Sequence, residues 1–254
     1  MDANRLLDLH GKIALVTGAS RGIGLATAQL LARCGAQVIV SSRRQDACDA
    51  AVQQICADGG KAIAMAAHIG DVASIDSLFA QIGDRGLELD ILVNNAATNP
   101  YFGPMLDMDM SAFDKTVEVN IRGYFYSSRK AAQIMRERGG AIVNVASVNA
   151  RRAAPGQGVY SMTKAAIISL TEGFAKELAA LKIRVNAVLP GLTDTKFASA
   201  LTQNPDILKA MLRLIPLGRV AEADEIAPMI AFLCSPAASY ITGSSFAVDG
   251  GYLA

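Results

Sequence analysis

Thr17-Gly18-Ala19-Ser20-Arg21-Gly22-Ile23-Gly24 is the stretch that decides the fold of this 254-residue chain. A β-branched run, Ile13–Thr17, leads into it, and an apolar-periodic pattern leaves it at once, predicting a helix over 23–34. Gly18 lets the chain turn sharply. Gly22 and Gly24 remove side chains where a backbone must approach a pyrophosphate and where helix packs on strand. The N–H groups and positive end of the new helix then face the phosphates, with Ser20, Arg21 and Ile23 lining the same turn. Three glycines also suit a plain tight turn; the strand before and the helix after are what make the motif informative.

Outward from the turn, short β-branched runs alternate with longer helical patterns. Strands are predicted over 13–17, 37–40, 62–66, 90–94, 141–145, 184–189 and 245–248. Helices are predicted over 23–34, 46–57, 75–82, most of 110–136, 160–180 and 224–234. Continuous apolar strands such as Ile91-Leu92-Val93 suit a parallel sheet buried on both faces. Repeated strand–helix–strand units close either as a (β/α)8 barrel or as an open, doubly wound sheet. The glycine turn after the first strand selects the open sheet: α/β, about seven parallel strands, helices on both faces. No linker, repeat or low-complexity segment interrupts residues 1–254, so a single domain is expected. The irregular stretches 98–109 and 194–221 follow strands at the edge where such sheets bind ligands, and 194–221 is expected to be a substrate-loop insertion.

Composition narrows the function classes. Just over half the residues are hydrophobic, and 24 basic against 23 acidic side chains leave +1, so no nucleic-acid partner is expected. Cys34, Cys48, Cys56 and Cys234 form no C-x-x-C pair and read as reduced, buried thiols of a cytosolic protein. His10 and His68 are too isolated for a metal site, and no metal is expected. Residues 1–9 carry no apolar signal core, and no apolar run approaches the ~20 residues of a membrane span.

Tyr160-Ser161-Met162-Thr163-Lys164 opens the predicted helix over 160–180, so phenol and ammonium share one face. A phenol of pKa ~10 is a poor acid–base group at neutral pH, and a neighbouring cation lowers that value. Ser147 lies just past the strand over 141–145, thirteen residues before Tyr160, and Asn120 sits inside the long helical stretch. These ends are expected to converge on one edge of the sheet.

Thr-Gly-x-x-x-Gly-x-Gly with Asn120, Ser147, Tyr160 and Lys164 resembles the short-chain dehydrogenase/reductase family, over about residues 11–251. The resemblance implies a Rossmann-type fold and hydride transfer between a nicotinamide cofactor and a carbonyl or alcohol carbon. It implies that Tyr160 passes the proton, Lys164 lowers the phenol's pKa and holds the nicotinamide ribose, Ser147 orients the substrate oxygen, and Asn120 holds a water leading from Lys164 to solvent. It further implies cofactor contacts from Pro190, Gly191, Leu192 and Thr195, from Asp71 and Val72 at the adenine, and from Asn94 in Asn94-Asn95-Ala96-Ala97. Ala97 stands where the family carries glycine.

At the end of the second strand, NAD-users carry an acid; here Ser42 stands there and Arg43 follows. The small hydroxyl leaves room for a 2′-phosphate, and Arg43, aided by Arg21, suits a forked contact to it. NADP(H) is therefore the expected cofactor, with NAD(H) the other possibility. Tyr101, Phe102, Phe197, Leu201 and Met211 are expected to wall an apolar pocket, with Arg151 and Arg152 near its mouth. The loop 99–103 and the stretch 238–243 resemble carbonyl reductases, including the animal peroxisomal retinal and dicarbonyl reductases. A 3-oxoacyl-carrier-protein reductase is the second reading, and a non-catalytic NADP-sensing protein a third. The family usually assembles as a homotetramer, and that is the expected partner arrangement, alongside a small-molecule carbonyl or alcohol substrate.

Overall fold

The computed structural model describes residues 6–196 and 205–254. Within them seven strands form one parallel sheet. These are β1 (Ile13–Thr17), β2 (Gln37–Ser41), β3 (Lys61–Ala64), β4 (Ile91–Asn94), β5 (Gly140–Val145), β6 (Ile183–Pro190) and β7 (Ser245–Val248). Their order is β3-β2-β1-β4-β5-β6-β7, so the chain reverses direction across the sheet between β1 and β4. That is the doubly wound order, and the barrel alternative falls. The crevice at such a reversal is where these sheets take ligands.

Helices cover both faces because the central strands are apolar on both sides. Ala14, Val16, Val38, Val40, Ile91 and Val93 point into one core. That core is completed by α1 (Gly22–Arg33), α2 (Gln45–Ala57) and α8 (Ala223–Cys234). Their neighbours Leu15, Ile39, Leu92 and Ile142 point the other way, onto α3 (Val72–Asp84) and α5 (Gly123–Met135), with α6 (Gly158–Leu178) beside them. The period-2 alternation thus feeds two cores. Between β6 and α8 lies α7 (Pro205–Leu212).

Three local features depart from the sequence expectation. First, the helix expected over 110–136 is interrupted: α4 (Met110–Val117) passes into a π-turn, Glu118–Arg122, before α5. The Gly123 N–H bonds to the Glu118 carbonyl, five residues back. Gly123 is wedged against Ile69, whose carbonyl oxygen would meet a side chain at 2.5 Å. Such bulges gather at functional positions, and Asn120 is inside this one. Second, β3 ends at Ala64, although Met65 and Ala67 N–H groups still bond to Val40 and Ser42 carbonyls. Third, α6 starts at Gly158, two residues before Tyr160. Phe197 and Leu201, expected in the pocket wall, lie outside the described residues.

Candidate active site

The glycine turn is held by the end of β4. Gly18 has φ +67°, and a side chain there would come within 2.8 Å of the Ala96 backbone. The Asn95 carboxamide donates to the carbonyls of Thr17 and Gly18 at 2.9 and 3.2 Å. The Thr17 hydroxyl in turn accepts from the Asn95 and Ala96 N–H groups. A Cβ on Gly24 would overlap the Gly18 carbonyl and the Asn95 side chain. Asn95 is thus a bracing residue that motif reading passes over in favour of its neighbour.

Asn94 itself is placed differently from the expectation of a cofactor contact. It is fully buried, and its amide donates to Ser128 and to the Asn144 carboxamide, both at 2.9 Å. The side chain faces the core because β4 is central and covered on both sides.

The start of α1 has an unusual lack. Arg21 at the N-cap position offers no side-chain bond, and no acid occupies the first turn. By contrast Asp71 caps α3 by accepting from the Ala73 N–H, and Glu222 with Glu225 forms a capping box on α8. An uncapped N-terminus lined by glycine is a fit for a phosphate-bearing ligand. Nearby, Arg21 and Arg43 are exposed and form no ion pair among the described residues. Ser42 turns its hydroxyl to the buried Cys48 thiol, 3.2 Å away. Thr195 reaches back over the turn: a Cβ on Gly22 would lie 3.2 Å from its methyl. Gly191 lies so close to Asp249 that a side chain would meet its Cα at 2.7 Å, while Pro190 ends β6 and Leu192 packs by Val148 and Tyr252. Asp71 works as a helix cap, with Val72 a third exposed beside it.

The second half of the site gathers at the end of β5. Ser147 leaves the strand and caps a 3-10 turn, Val148–Ala150, accepting from the Asn149 N–H at 3.1 Å. Its hydroxyl also hydrogen-bonds the Tyr160 phenol. Burial pushes that phenol well above its ordinary pKa of 10, and the bond from Ser147 pulls it part of the way back. One helical turn on, Lys164 is buried with only 1% exposure. Its amine donates to the Val145 carbonyl at 2.8 Å and lies 5.6 Å from the centre of the Tyr160 ring. Burial without a carboxylate partner brings its pKa down to about 7. The buried Tyr124, absent from the sequence reading, approaches the same amine at 3.4 Å.

Asn120, expected to hold a water, is built into a set of bonds within the protein. Its oxygen accepts from the Thr98 N–H at 2.8 Å, and its two amide protons go to the Thr98 carbonyl at 2.9 Å and the Thr163 hydroxyl at 3.1 Å. With both protons engaged, the side chain ties the segment after β4 to α6.

On the substrate side, the Gly103 N–H bonds the Gly156 carbonyl at 2.9 Å, joining the loop after β4 to the start of α6. Tyr101, Met105, Met108, Gln157 and Tyr160 close around a narrow hollow of only about 10 Å³. Phe102 is half exposed, and Arg152 lies 5.2 Å from the centre of the Tyr252 ring. Among the described residues no group of three or more His, Cys, Asp or Glu is placed to hold a metal, and no helix is long and apolar enough to cross a membrane.

Comparison with known proteins fixes the family. A family model described as enoyl-(acyl carrier protein) reductase matches residues 18–253. Dehydrogenase/reductase SDR family member 4 of Oryctolagus cuniculus is 38% identical over 244 residues, 96% of this chain and 94% of that protein. The chain belongs to the short-chain dehydrogenase/reductase family. A 3-oxoacyl-[acyl-carrier-protein] reductase of Synechocystis sp. is 40% identical over 247 residues, covering 96% of this chain and 97% of that one. A gluconate 5-dehydrogenase of Burkholderia cenocepacia, solved with NADP and tartrate, superposes with a TM-score of 0.95 at 29% identity, covering 99% and 98% of the two chains. This short-chain dehydrogenase/reductase is accordingly an oxidoreductase of CH–OH and C=O groups that works with a nicotinamide cofactor.

Proposed function

We propose that the chain is an NADP(H)-dependent carbonyl reductase acting on small ketones, aldehydes or the corresponding secondary alcohols. The observation that carries this reading is the Ser147–Tyr160 hydrogen bond, with the Lys164 amine one turn behind it, beside an uncapped helix end. When bound, the nicotinamide gives or takes the hydride. Gly18, Ser20, Gly22, Ile23 and Gly24 would hold its pyrophosphate; Asp71, Val72 and the Asn94 backbone the adenosine half; and Pro190, Gly191, Leu192 and Thr195 the nicotinamide end. Tyr160 gives its phenolic proton to the substrate oxygen during reduction and takes one during oxidation. Ser147 donates to the same oxygen and polarises it. Lys164, charged, stabilises the phenolate of Tyr160 and bonds the nicotinamide ribose, and Asn120 keeps the surrounding segments in register.

Preference for NADP(H) over NAD(H) rests on Arg21 and Arg43, exposed and without an ion pair among the described residues, and on the small Ser42. The tartrate in the Burkholderia relative makes 2-hydroxy and 2-keto acids worth including as substrates, with Arg151 and Arg152 as their carboxylate partners. The Synechocystis relative favours a second reading, a 3-oxoacyl thioester as substrate. Against it, Arg138, a basic side chain just past α5 that could grip an acidic carrier, is paired with Glu88 and Asp90. For assembly we propose a homotetramer through α5 and α6, where Phe125, 44% exposed, stacks on Phe174. The four thiols are free, though only Cys48 and Cys234 are buried as expected, while Cys34 is half-buried and Cys56, on α2, is exposed. Free thiols suit a reducing compartment, and we place the protein in the cytoplasm.

The deciding experiment is NADPH consumption by the protein and by Tyr160→Phe against ketones, aldehydes, diketones, keto acids, a 3-oxoacyl thioester and an enoyl thioester. Turnover of a carbonyl compound that collapses in Tyr160→Phe is expected. Tight NADPH binding with no turnover of any of them would replace this reading with a nucleotide-sensing role.

A further inference from the structure

Tyr124 is the largest of the fully buried side chains and lies beside the site, in a chain stretch otherwise read only as helix. It follows directly on Gly123, the residue that closes the π-turn and packs on the Ile69 backbone. Four positions separate it from Asn120, so the two would share a face on a regular helix, and both are fully buried. Asn120 holds Thr163, next to Lys164 in sequence; Tyr124 reaches Lys164 itself.

The hydrogen bonds assign directions. The Tyr124 hydroxyl donates its one proton to the Val145 carbonyl at 3.1 Å. Towards the Lys164 amine, 3.4 Å away, it is therefore left as an acceptor. The amine also donates to that same Val145 carbonyl, at 2.8 Å. One backbone oxygen thus anchors both side chains, and the phenol oxygen stands beside the amine as a side-chain acceptor. The other polar groups near it are few. From α6 come Tyr160, whose ring faces the amine, and Thr163, engaged with the Tyr160 carbonyl and Asn120. From the end of β5 comes Ser147, engaged with Tyr160 and Asn149. Among the described residues no carboxylate pairs with Lys164.

We propose that Tyr124 is a positioning residue for Lys164: its hydroxyl and the Val145 carbonyl form a socket that fixes the amine behind Tyr160 and favours its charged form. In an interior without a counter-ion, each acceptor turned to an ammonium stabilises charge over neutrality. Removing the hydroxyl while keeping the ring leaves the charged amine one acceptor poorer, so Lys164 gives up its proton more readily. The consequence for the reaction rests on the reading of Tyr160 as the proton donor: a less charged Lys164 leaves the Tyr160 phenolate less stabilised.

The test compares the wild-type protein with Tyr124→Phe by following the lysine Nζ resonances of the 15N-lysine-labelled, cofactor-free protein over pH, with Lys164 assigned by its loss in Lys164→Met. The Lys164 midpoint is expected to fall by about half a pH unit or more in Tyr124→Phe, in keeping with a long hydrogen bond to a charged group. The acid limb of kcat/KM for alcohol oxidation is expected to move to higher pH, with substrate KM nearly unchanged. An unchanged Lys164 midpoint in a folded Tyr124→Phe overturns the socket. A shifted midpoint with an unmoved acid limb overturns its part in the reaction. Should Tyr124→Phe not fold, Tyr124→Leu is titrated in its place and read the same way. Absence of turnover in the wild type would fall on the reading of the reaction, while the titration still decides Tyr124.

Discussion

Asn120 and Thr98 are joined by a reciprocal pair of hydrogen bonds, one accepted from the Thr98 N–H and one donated to the Thr98 carbonyl. The pair pins the chain leaving β4 to the π-turn, with Asn120 fully buried and Thr98 partly so. Asn120→Asp keeps the acceptor but turns a carboxylate oxygen towards the Thr98 carbonyl. The variant is expected to lose about 2–3 kcal/mol, the range for a buried group left unsatisfied next to a charge. At this chain length that lowers Tm by roughly 5–10 °C. A melting curve coincident with wild type would show that the ring of bonds contributes nothing.

A methyl at Gly24 would overlap the Gly18 carbonyl and the Asn95 amide at once. Gly24→Ala must push α1 off the end of β4 or break the Asn95 bonds to the turn. NADPH affinity, read by the enhancement of nicotinamide fluorescence, is expected to fall at least ~10-fold, the loss of one good contact. Retention of full affinity would mean that the turn tolerates another geometry and that its close packing is incidental.

Arg43 is exposed and makes no ion pair among the described residues, so its removal is expected to disturb little else there. Arg43→Ala is expected to raise KM for NADPH by ~10- to 100-fold, the worth of a charge-assisted contact to phosphate, and to leave KM for NADH nearly unchanged. Equal effects on both cofactors would remove Arg43 from 2′-phosphate recognition.

Lys164 carries a pH signature in stability. Its pKa in the folded protein is about 7, against roughly 10.4 for a lysine in water. Between those values the unfolded chain binds more protons than the folded one, so unfolding free energy rises with pH. The useful window closes near pH ~8.5, where thiols of the unfolded chain begin to ionise while the buried Cys234, pushed up to about 12, stays neutral in the fold. The cofactor-free protein is thus expected to melt higher at pH 8.5 than at pH 7, and Lys164→Met to flatten that rise. A wild-type Tm that falls over the same interval would contradict a neutralised Lys164.

The sheet and the glycine turn are legible in the sequence because both are local: two-sided apolar strands and a strand–glycine–helix junction announce themselves within a dozen residues. Tyr160 and Lys164 are legible for the same reason, four positions apart on one helix. What escapes is whatever depends on contacts between distant segments. Asn94 and Asn95 are adjacent and chemically identical, and only the pleat of β4 sends one into the core and the other to the turn. Tyr124 gives no signal of its own, because its meaning comes from a carbonyl on β5 and an amine on α6. The π-turn is equally silent, since its cause is the close approach of Gly123 to Ile69.

The strand order also governs how the chain must fold. β1 can pair with β2 as soon as both exist, but its other edge waits for β4, where Ala14 meets Ile91. The apolar side of α1 waits longer still, for α8 near the far end of the chain. Such long-range closures slow the search and leave apolar surface uncovered in the meantime. The helix that covers this flank of α1 is made only from residue 223 onward, so a chain stopped before that point is expected to leave the flank bare.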